Sequence, residues 1–272
     1  MIPDKLTADL SEKYKVSIRL MPDGLSFCGY IPSEKDSLFI EFFPFDDELT
    51  MPDALKSIIF NHSCFSFHYQ SCHIICVGGK YTIVPDHVFV EKEKDVLFDF
   101  CFPHDPSLKT LVQQVDALNA SILFAIDNNV YAFLLRSLIN PQFIHSISTL
   151  LITWHKKSLL MYHKLMHVDM HHNTMDVLCL EQGNLLYANS FRFENSNDIV
   201  YYIMYICKQT GFNQLDDYIT ISGKQSLCRP VLSVISKYVK KTNFFQQQLN
   251  NYQTTAALEE TPDVMALVEC GL

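Results

Sequence analysis

Three residues with metal-binding side chains alternate along one short segment. His167, Asp169 and His171 are spaced at i, i+2 and i+4, so on a β-strand their side chains share one face. Two imidazoles and a carboxylate are ligands of many zinc and non-haem iron sites, and one hypothesis is therefore a metal-dependent hydrolase. We favour a polar strand end that enters a turn, because a chain with 11 histidines easily produces this alternation by chance.

Cysteine and histidine also recur at intervals of four. Cys64, His68, Cys72 and Cys76 would share one helical face, but the apolar run around Cys72 is typical of a strand and is followed by two glycines. The sequence has no Cys-x-x-Cys pair, no Gly-x-Ser-x-Gly elbow and neither of the common glycine-rich phosphate loops. The specific signals of a zinc knuckle, a serine hydrolase and a P-loop enzyme are thus absent from it.

The segment around His167 belongs to a predicted run of three strands, one helix and a fourth strand. The strands are predicted at residues 164–170, 174–180, 185–193 and 217–222, with the helix before the last of them. Asn195 or Ser196 caps the start of this helix, and Gly211 ends it in the left-handed position that favours glycine. Gly223 directly follows the fourth strand.

The first half of the chain shows the same order of elements. Strands are predicted at 15–20, 25–31, 37–45 and 72–77, with a helix from Met51 before the last of them. Two halves of like order predict an internal structural repeat. We therefore predict two lobes, residues 1–155 and 156–272, with a strand-rich subdomain at about 65–118 inserted into the first. A hairpin of 72–77 with 81–84, closed by two glycines, is also predicted.

Composition excludes several classes of protein. With 48% hydrophobic and 19% charged residues, the chain of 272 residues can bury a large core. A net charge of -9 argues against a nucleic-acid partner, and the longest apolar runs are too short for insertion into a membrane. The N-terminal residues lack an export signal, and the nine cysteines are interpreted as reduced thiols. These features predict a cytoplasmic protein.

Tyrosines on the predicted helix of the second half suggest a contact surface. Tyr201, Tyr202 and Tyr205 follow Ile199 closely, and four successive positions of a helix cannot all face the sheet. At least one tyrosine therefore points outward. An outward aromatic patch suits a protein partner or a contact with a second copy.

Several of these motifs resemble a known family. The run Val168-Asp169-Met170-His171-His172-Asn173-Thr174 is similar to the second phosphate-binding hairpin of actin, Hsp70 and type IV pilus assembly proteins, in which aspartate, any residue and glycine precede a threonine. Residues 218–223 resemble the strand before the adenosine loop of that family, and residues 264–272 resemble its terminal helix. Further short motifs look like an uncharacterised bacterial family with this fold: Ile83-Val84-Pro85, Asn189-Ser190-Phe191, Asp198 and Tyr201-Tyr202.

The resemblance implies a mixed α/β fold of two related ribonuclease H-like, actin-like lobes. It also implies a nucleotide site, of which Asp169, Thr174 and Gly223 match the family pattern. His171, however, stands where the family has a glycine whose bare backbone approaches a phosphate. We therefore predict a non-catalytic protein, without a cofactor, that binds a protein partner or associates with itself.

Two enzyme alternatives accompany this prediction. In the first, the imidazole of His171 turns aside and the protein binds Mg-ATP weakly or hydrolyses it. The second is the metal-dependent hydrolase at His167, Asp169 and His171 described above.

Overall fold

The structure, a computed structural model, describes residues 6–32, 34, 36–245 and 261–270. The strands are β1 (Lys15–Met21), β2 (Gly24–Tyr30), β3 (Phe39–Pro44), β4 (Ser71–Cys76), β5 (Tyr81–Pro85), β6 (Leu108–Val115), β7 (Ala120–Asp127), β8 (Pro141–His145), β9 (Leu165–His171), β10 (Thr174–Glu181), β11 (Asn184–Arg192), β12 (Tyr218–Gly223) and β13 (Lys241–Phe244). The helices are α1 (Ala8–Ser11), α2 (Met51–Asn61), α3 (Lys94–Cys101), α4 (Asn128–Ser137), α5 (Ser146–Ser158), α6 (Ser196–Gln209), α7 (Gln225–Ile235) and α8 (Pro262–Cys270). Within the described ranges, no helix has the length and apolar character needed to span a membrane.

Two five-stranded sheets share one topology. Their strand orders are β3-β2-β1-β4-β8 in the first lobe and β11-β10-β9-β12-β13 in the second. In each sheet the first three strands of the lobe pair antiparallel and the last two join in parallel. Parallel neighbours need long crossover connections, which include α2 and α4 in one lobe and α6 and α7 in the other. The predicted internal repeat is confirmed.

Short turns close the hairpins of both lobes. Pro22-Asp23 connects β1 to β2, and His172-Asn173 connects β9 to β10. Gln182-Gly183 connects β10 to β11, with φ of 47° and 83°, and positive φ at both positions matches the right-handed twist of the flanking strands. The predicted hairpins 15–31 and 174–193 therefore form as expected.

The predicted hairpin between residues 72–77 and 81–84 is wrong. β4 instead lies between β1 and β8 in parallel, while β5 pairs antiparallel with β7 in a separate three-stranded sheet, β5-β7-β6. Gly78 and Gly79 both have positive φ and lead the chain out of the lobe sheet instead of folding it back. The inserted sheet consequently spans residues 81–127, and it begins and ends later than the predicted range of about 65–118.

The two lobes meet on either side of a pair of helices. α5 follows β8 at the end of the first lobe and packs against α8; the predicted lobe boundary at residue 155 falls inside α5. One apolar cluster joins both helices to buried residues of both sheets, among them Ile18 and Leu178. A second cluster fills the space between the second sheet and α6 and α7. Because strand side chains alternate, His167, Asp169 and His171 all face the junction of the lobes.

Candidate functional site

Asp169 lies at the junction of the lobes and is almost completely buried. Its Oδ1 accepts a hydrogen bond from the Ser222 hydroxyl at 2.6 Å, while its Oδ2 has no hydrogen-bond partner among the described residues. Burial raises the pKa of Asp169 to about 6, the neighbouring carboxylate of Asp263 adds to this, and Ser222 and Arg19 oppose it. The carboxylate that matches the family aspartate therefore faces protein groups on all sides.

His171 occupies the family's glycine position with its imidazole turned into the protein. Its Nε2 is 2.9 Å from Asp176 Oδ2, and its Nδ1 is 2.8 Å from the Thr174 hydroxyl oxygen. Burial, together with the charge of Arg19, lowers the pKa of His171 to about 3. A Cβ built on Gly78 would lie 3.6 Å from His171 Cε1, so the ring rests against the loop that leaves β4. The imidazole thus fills space between the lobes.

Asp176 completes this network, and the sequence patterns did not indicate it. It lies opposite Asp169 in the pairing of β9 with β10, and its second oxygen accepts a hydrogen bond from Ser190. Burial raises the pKa of Asp176 to about 7, against the lowering effect of Ser190. The raised carboxyl pKa and the lowered imidazole pKa both disfavour a charged Asp176–His171 pair, so their contact is a hydrogen bond of a neutral imidazole.

A buried ion pair ties the first lobe to the C-terminal helix. Arg19 Nε donates to Asp263 Oδ2 at 2.7 Å, and both side chains are buried. Nearby, His145 Nε2 lies 3.0 Å from the Gly78 carbonyl oxygen. The available sequence signal was an arginine placed between the apolar residues Ile18 and Leu20, because a buried charge needs a partner. That partner is 244 residues away and cannot be identified from spacing.

Thr174 and Gly223, the other two residues matched to the nucleotide site, also have structural roles. The Thr174 hydroxyl bonds the ring and the carbonyl oxygen of His171 and so stabilises the β9–β10 turn. Gly223 has φ of 119°, and a Cβ there would lie 2.1 Å from the Met170 carbonyl oxygen. Only glycine allows β12 to approach β9 this closely. The presence of both residues is therefore explained without a nucleotide.

The three residues of the metal hypothesis share a strand face but have different partners. His167 stacks on Trp154 with ring centroids 4.4 Å apart, and its Nε2 is 3.1 Å from the Ser222 hydroxyl oxygen. Burial lowers the pKa of His167 well below its usual value, while His171 turns toward Asp176. Across the described ranges, no group of three or more histidine, cysteine or acidic side chains is arranged to hold a metal ion.

The predicted tyrosine surface is present on α6. The exposed fractions are 64% for Tyr201 and 45% for Tyr205, whereas Tyr202 is half-buried and stacks on Phe191 of β11 with centroids 4.4 Å apart. Two tyrosines therefore face solvent beside an edge strand of the second sheet, and the third anchors the helix to that sheet.

Comparisons with known proteins agree with this architecture. A protein from Bacteroides thetaiotaomicron VPI-5482, described as having an actin-like ATPase fold and unknown function, superimposes with a TM-score of 0.85 at 26% identity, covering 96% of this chain and 98% of that chain. The structure of the PilM-PilN type IV pilus biogenesis complex matches with a TM-score of 0.59 at 9% identity, covering 96% and 98%. The predicted fold of two actin-like lobes is confirmed.

Comparisons of the amino-acid sequence identify the family of this chain and indicate no activity. No curated protein matches the chain. The family model described as protein of unknown function DUF3822 matches residues 3–242, which confirms the suspected membership of an uncharacterised family with an actin-like fold. The chain belongs to the DUF3822 family.

Proposed function

We propose that this protein is a non-catalytic member of the actin-like fold class that acts by binding a protein partner. One observation carries the proposal: the imidazole of His171 occupies the junction between the lobes, bonded to Asp176 and packed against Gly78. A phosphate bound at this hairpin needs close approach to bare main chain. The ring would have to leave two hydrogen bonds and a buried position to make that room.

The charges at the junction also disfavour a nucleoside triphosphate. Asp169, Asp176 and Asp263 lie around Arg19, the cationic side chain that interacts with all three, and Arg19 is already paired with Asp263. Phosphoryl transfer requires cationic groups and a metal-binding carboxylate at the reacting phosphate. Here burial raises the pKa values of Asp169 and Asp176, which is the opposite of what a magnesium ligand needs.

Features of the exterior support a protein partner. Tyr201 and Tyr205 expose aromatic surface of the kind that is enriched at protein interfaces. PilM, which has the same fold, is seen in a complex with PilN, so this architecture is compatible with binding another protein.

Calorimetric titration of the full chain with Mg-ATP tests the proposal directly. We expect no heat of binding, because the ring of His171 and the surrounding aspartates oppose the phosphates. The matched variants are Asp169→Ala at the junction and His172→Ala at the exposed tip of the same hairpin. Binding at or below about micromolar Kd that is lost in Asp169→Ala and retained in His172→Ala would overturn the proposal and favour the ATP-binding alternative.

A further inference from the structure

Building on the proposed partner-binding function, we propose that the protein binds an extended segment of its partner as an added β-strand along β11. Among the residues that the structure describes, β11 is an edge strand of the second sheet and pairs with β10 alone. It is nine residues long, with Ala188 at its centre. The occupant would be an uncharged, extended segment with alternating apolar side chains.

The main chain of β11 is oriented to accept such a strand. Just beyond its end, the Phe193 N–H donates to the Asn173 carbonyl at 3.0 Å. In antiparallel pairing the bonding direction alternates, so Ala188 and Ser190 direct their N–H and C=O groups away from β10. The Ser190 N–H accordingly bonds the Asn189 side-chain oxygen at 2.9 Å instead of a strand. Ala188 offers the central backbone groups for pairing.

β11 also lacks the features that usually protect an edge strand. Natural edges are blocked by proline, by charged side chains or by short length. β3, the corresponding edge of the first lobe, contains Glu41 and ends at Pro44. β11 contains no proline, and its one charged residue is Arg192 at the end of the strand. Two strands in equivalent positions of a repeat thus differ in whether they can accept a neighbour.

The space beside β11 has the size and chemistry of a peptide site. A cleft of about 850 Å³ separates β11 from β5, the edge strand of the inserted sheet, with His155 and Leu159 also lining it. This volume falls within the usual range for ligand sites. The described lining residues include no lysine, arginine, aspartate or glutamate, although 19% of the chain is charged. Such a wall favours an uncharged occupant over a nucleotide or a highly charged peptide.

A second groove lies on the other face of β11. It has a volume of about 460 Å³ and is lined by Leu186, Tyr187, Tyr205 and Gln209 among others. Ala188 packs toward the α5 side of the sheet, and Tyr187 packs toward the α6 side. Alternate side chains of an added strand point to opposite faces, so one set would enter the cleft and the other would enter this groove. Strand addition typically combines edge pairing with such alternate pockets.

The position of β5 favours a single extended segment over a second folded copy. The inserted sheet stands across the cleft from β11, with Tyr81, Thr82 and Ile83 forming the opposite wall. A folded sheet edge would bring its own layers of helices into this space. An extended peptide requires only the width of one strand, about 4.8 Å from its neighbour.

Selection of a random peptide library against the full chain, followed by titration of the selected peptides, tests the inference. We expect uncharged sequences with alternating apolar residues. Ala188→Pro should weaken their binding roughly tenfold or more, because it removes an outward N–H without removing a bond to β10. Ala188→Ser retains that N–H and should bind more tightly than Ala188→Pro.

Two further measurements do not depend on how well the proline variant folds. N-methylation of a peptide residue removes its backbone N–H. Methylating the residues whose N–H groups face β11 should abolish binding, and methylating the alternate residues, whose N–H groups face away, should leave it unchanged. Only strand pairing predicts this alternation. Tyr205→Ala should weaken binding because Tyr205 lines the groove. Tyr238→Ala removes a tyrosine that is 54% exposed at the end of α7, outside both lining sets, and should have no effect.

The outcomes separate this inference from the proposed function. Peptides that bind Ala188→Pro and Tyr205→Ala as tightly as the unaltered chain overturn strand addition at β11 but leave partner binding elsewhere intact. A selection that yields no binder also overturns strand addition by a partner peptide. So does a dimer of the unaltered chain that dissociates in Ala188→Pro, because it would assign β11 to a contact with a second copy. Tight Mg-ATP binding together with β11-dependent peptide binding overturns only the non-nucleotide part of the proposed function.

Discussion

The junction between the lobes and the cleft beside β11 are opposite kinds of site. At the junction, buried Arg19 is paired with buried Asp263, and His171 is bonded to buried Asp176. Beside β11, the walls are uncharged and the backbone of Ala188 is directed into open space. The residues that resemble a nucleotide site thus lie where the protein is closed. The region without any catalytic motif is the one that remains open.

This difference indicates how the fold is used. A buried polar network must be satisfied internally, because an unpaired buried group costs roughly 1–3 kcal/mol. The junction therefore acts as a structural lock between the lobes and α8. An unprotected edge strand lowers the stability of the isolated molecule little, because its outward backbone groups bond to water. It gains hydrogen bonds to protein when a partner strand is added. Each prediction below tests the structural role that this contrast assigns to the junction and its surroundings.

Breaking the Arg19–Asp263 pair should produce the largest effect. Arg19→Met leaves the Asp263 carboxylate buried and unpaired, and we expect a loss of about 3–5 kcal/mol in the free energy of unfolding. Urea unfolding followed by circular dichroism measures it. The double variant Arg19→Met with Asp263→Leu should recover most of the loss, because apolar replacement of both partners is often neutral. A loss below about 1 kcal/mol in the single variant, the range of exposed pairs, would contradict the structural role of the junction.

Gly223→Ala should destabilise the second lobe to a smaller extent. The new Cβ meets the Met170 carbonyl oxygen, and φ of 119° is unfavourable for alanine, so we expect a cost of about 1–3 kcal/mol. Gly211→Ala is the matched control, since Gly211 also has positive φ but has no atom within 4 Å of the added Cβ. Equal losses of stability in the two variants would show that close packing against β9 is not the reason for glycine at position 223.

The smallest of these effects on stability should be a pH dependence due to Asp169. Its pKa is raised from 3.8 to about 6 in the folded protein, so its contribution to stability is full below pH 3.8 and is lost as the pH rises through 6. Between pH 5 and 8, Asp169 should account for a decrease of about 1–2 kcal/mol in the free energy of unfolding. Asp169→Asn should show a correspondingly smaller decrease over that interval. An identical pH profile in the variant would mean that the carboxylate is not desolvated as the junction geometry indicates.

Most of the fold follows from local patterns that the sequence displays. The hairpin turns and the cap of α6 depend on residues close in the chain, and Asn195 and Asp198 form the capping box that the sequence pattern anticipated in part. β8 was missed because its first residue is a proline preceded by an asparagine, and because its five residues lack alternation. The mistaken hairpin after β4 arose because two glycines can either reverse a chain or redirect it, and the choice depends on neighbouring strands.

The candidate site was less predictable than the fold. The steric problem at His171 could be recognised because the resemblance assigns a glycine to that position. The partners of the imidazole could not be recognised from the sequence. Asp176 is brought to the ring by the pairing of β10 with β9, and Gly78 approaches the ring from the other lobe. The cleft beside β11 had no sequence signal, because its walls come from two sheets.

The sequence by itself determined the repeated order of strands and helices, the family resemblance and the loss of the glycine that a phosphate-binding hairpin uses. These features depend on residue types and on short spacings along the chain. Only the tertiary structure decided which buried charges pair, where the inserted sheet lies and which strand edge has no neighbour among the described residues. Those outcomes depend on contacts between residues far apart in the chain, such as Arg19 and Asp263, and no local pattern encodes which distant groups will meet.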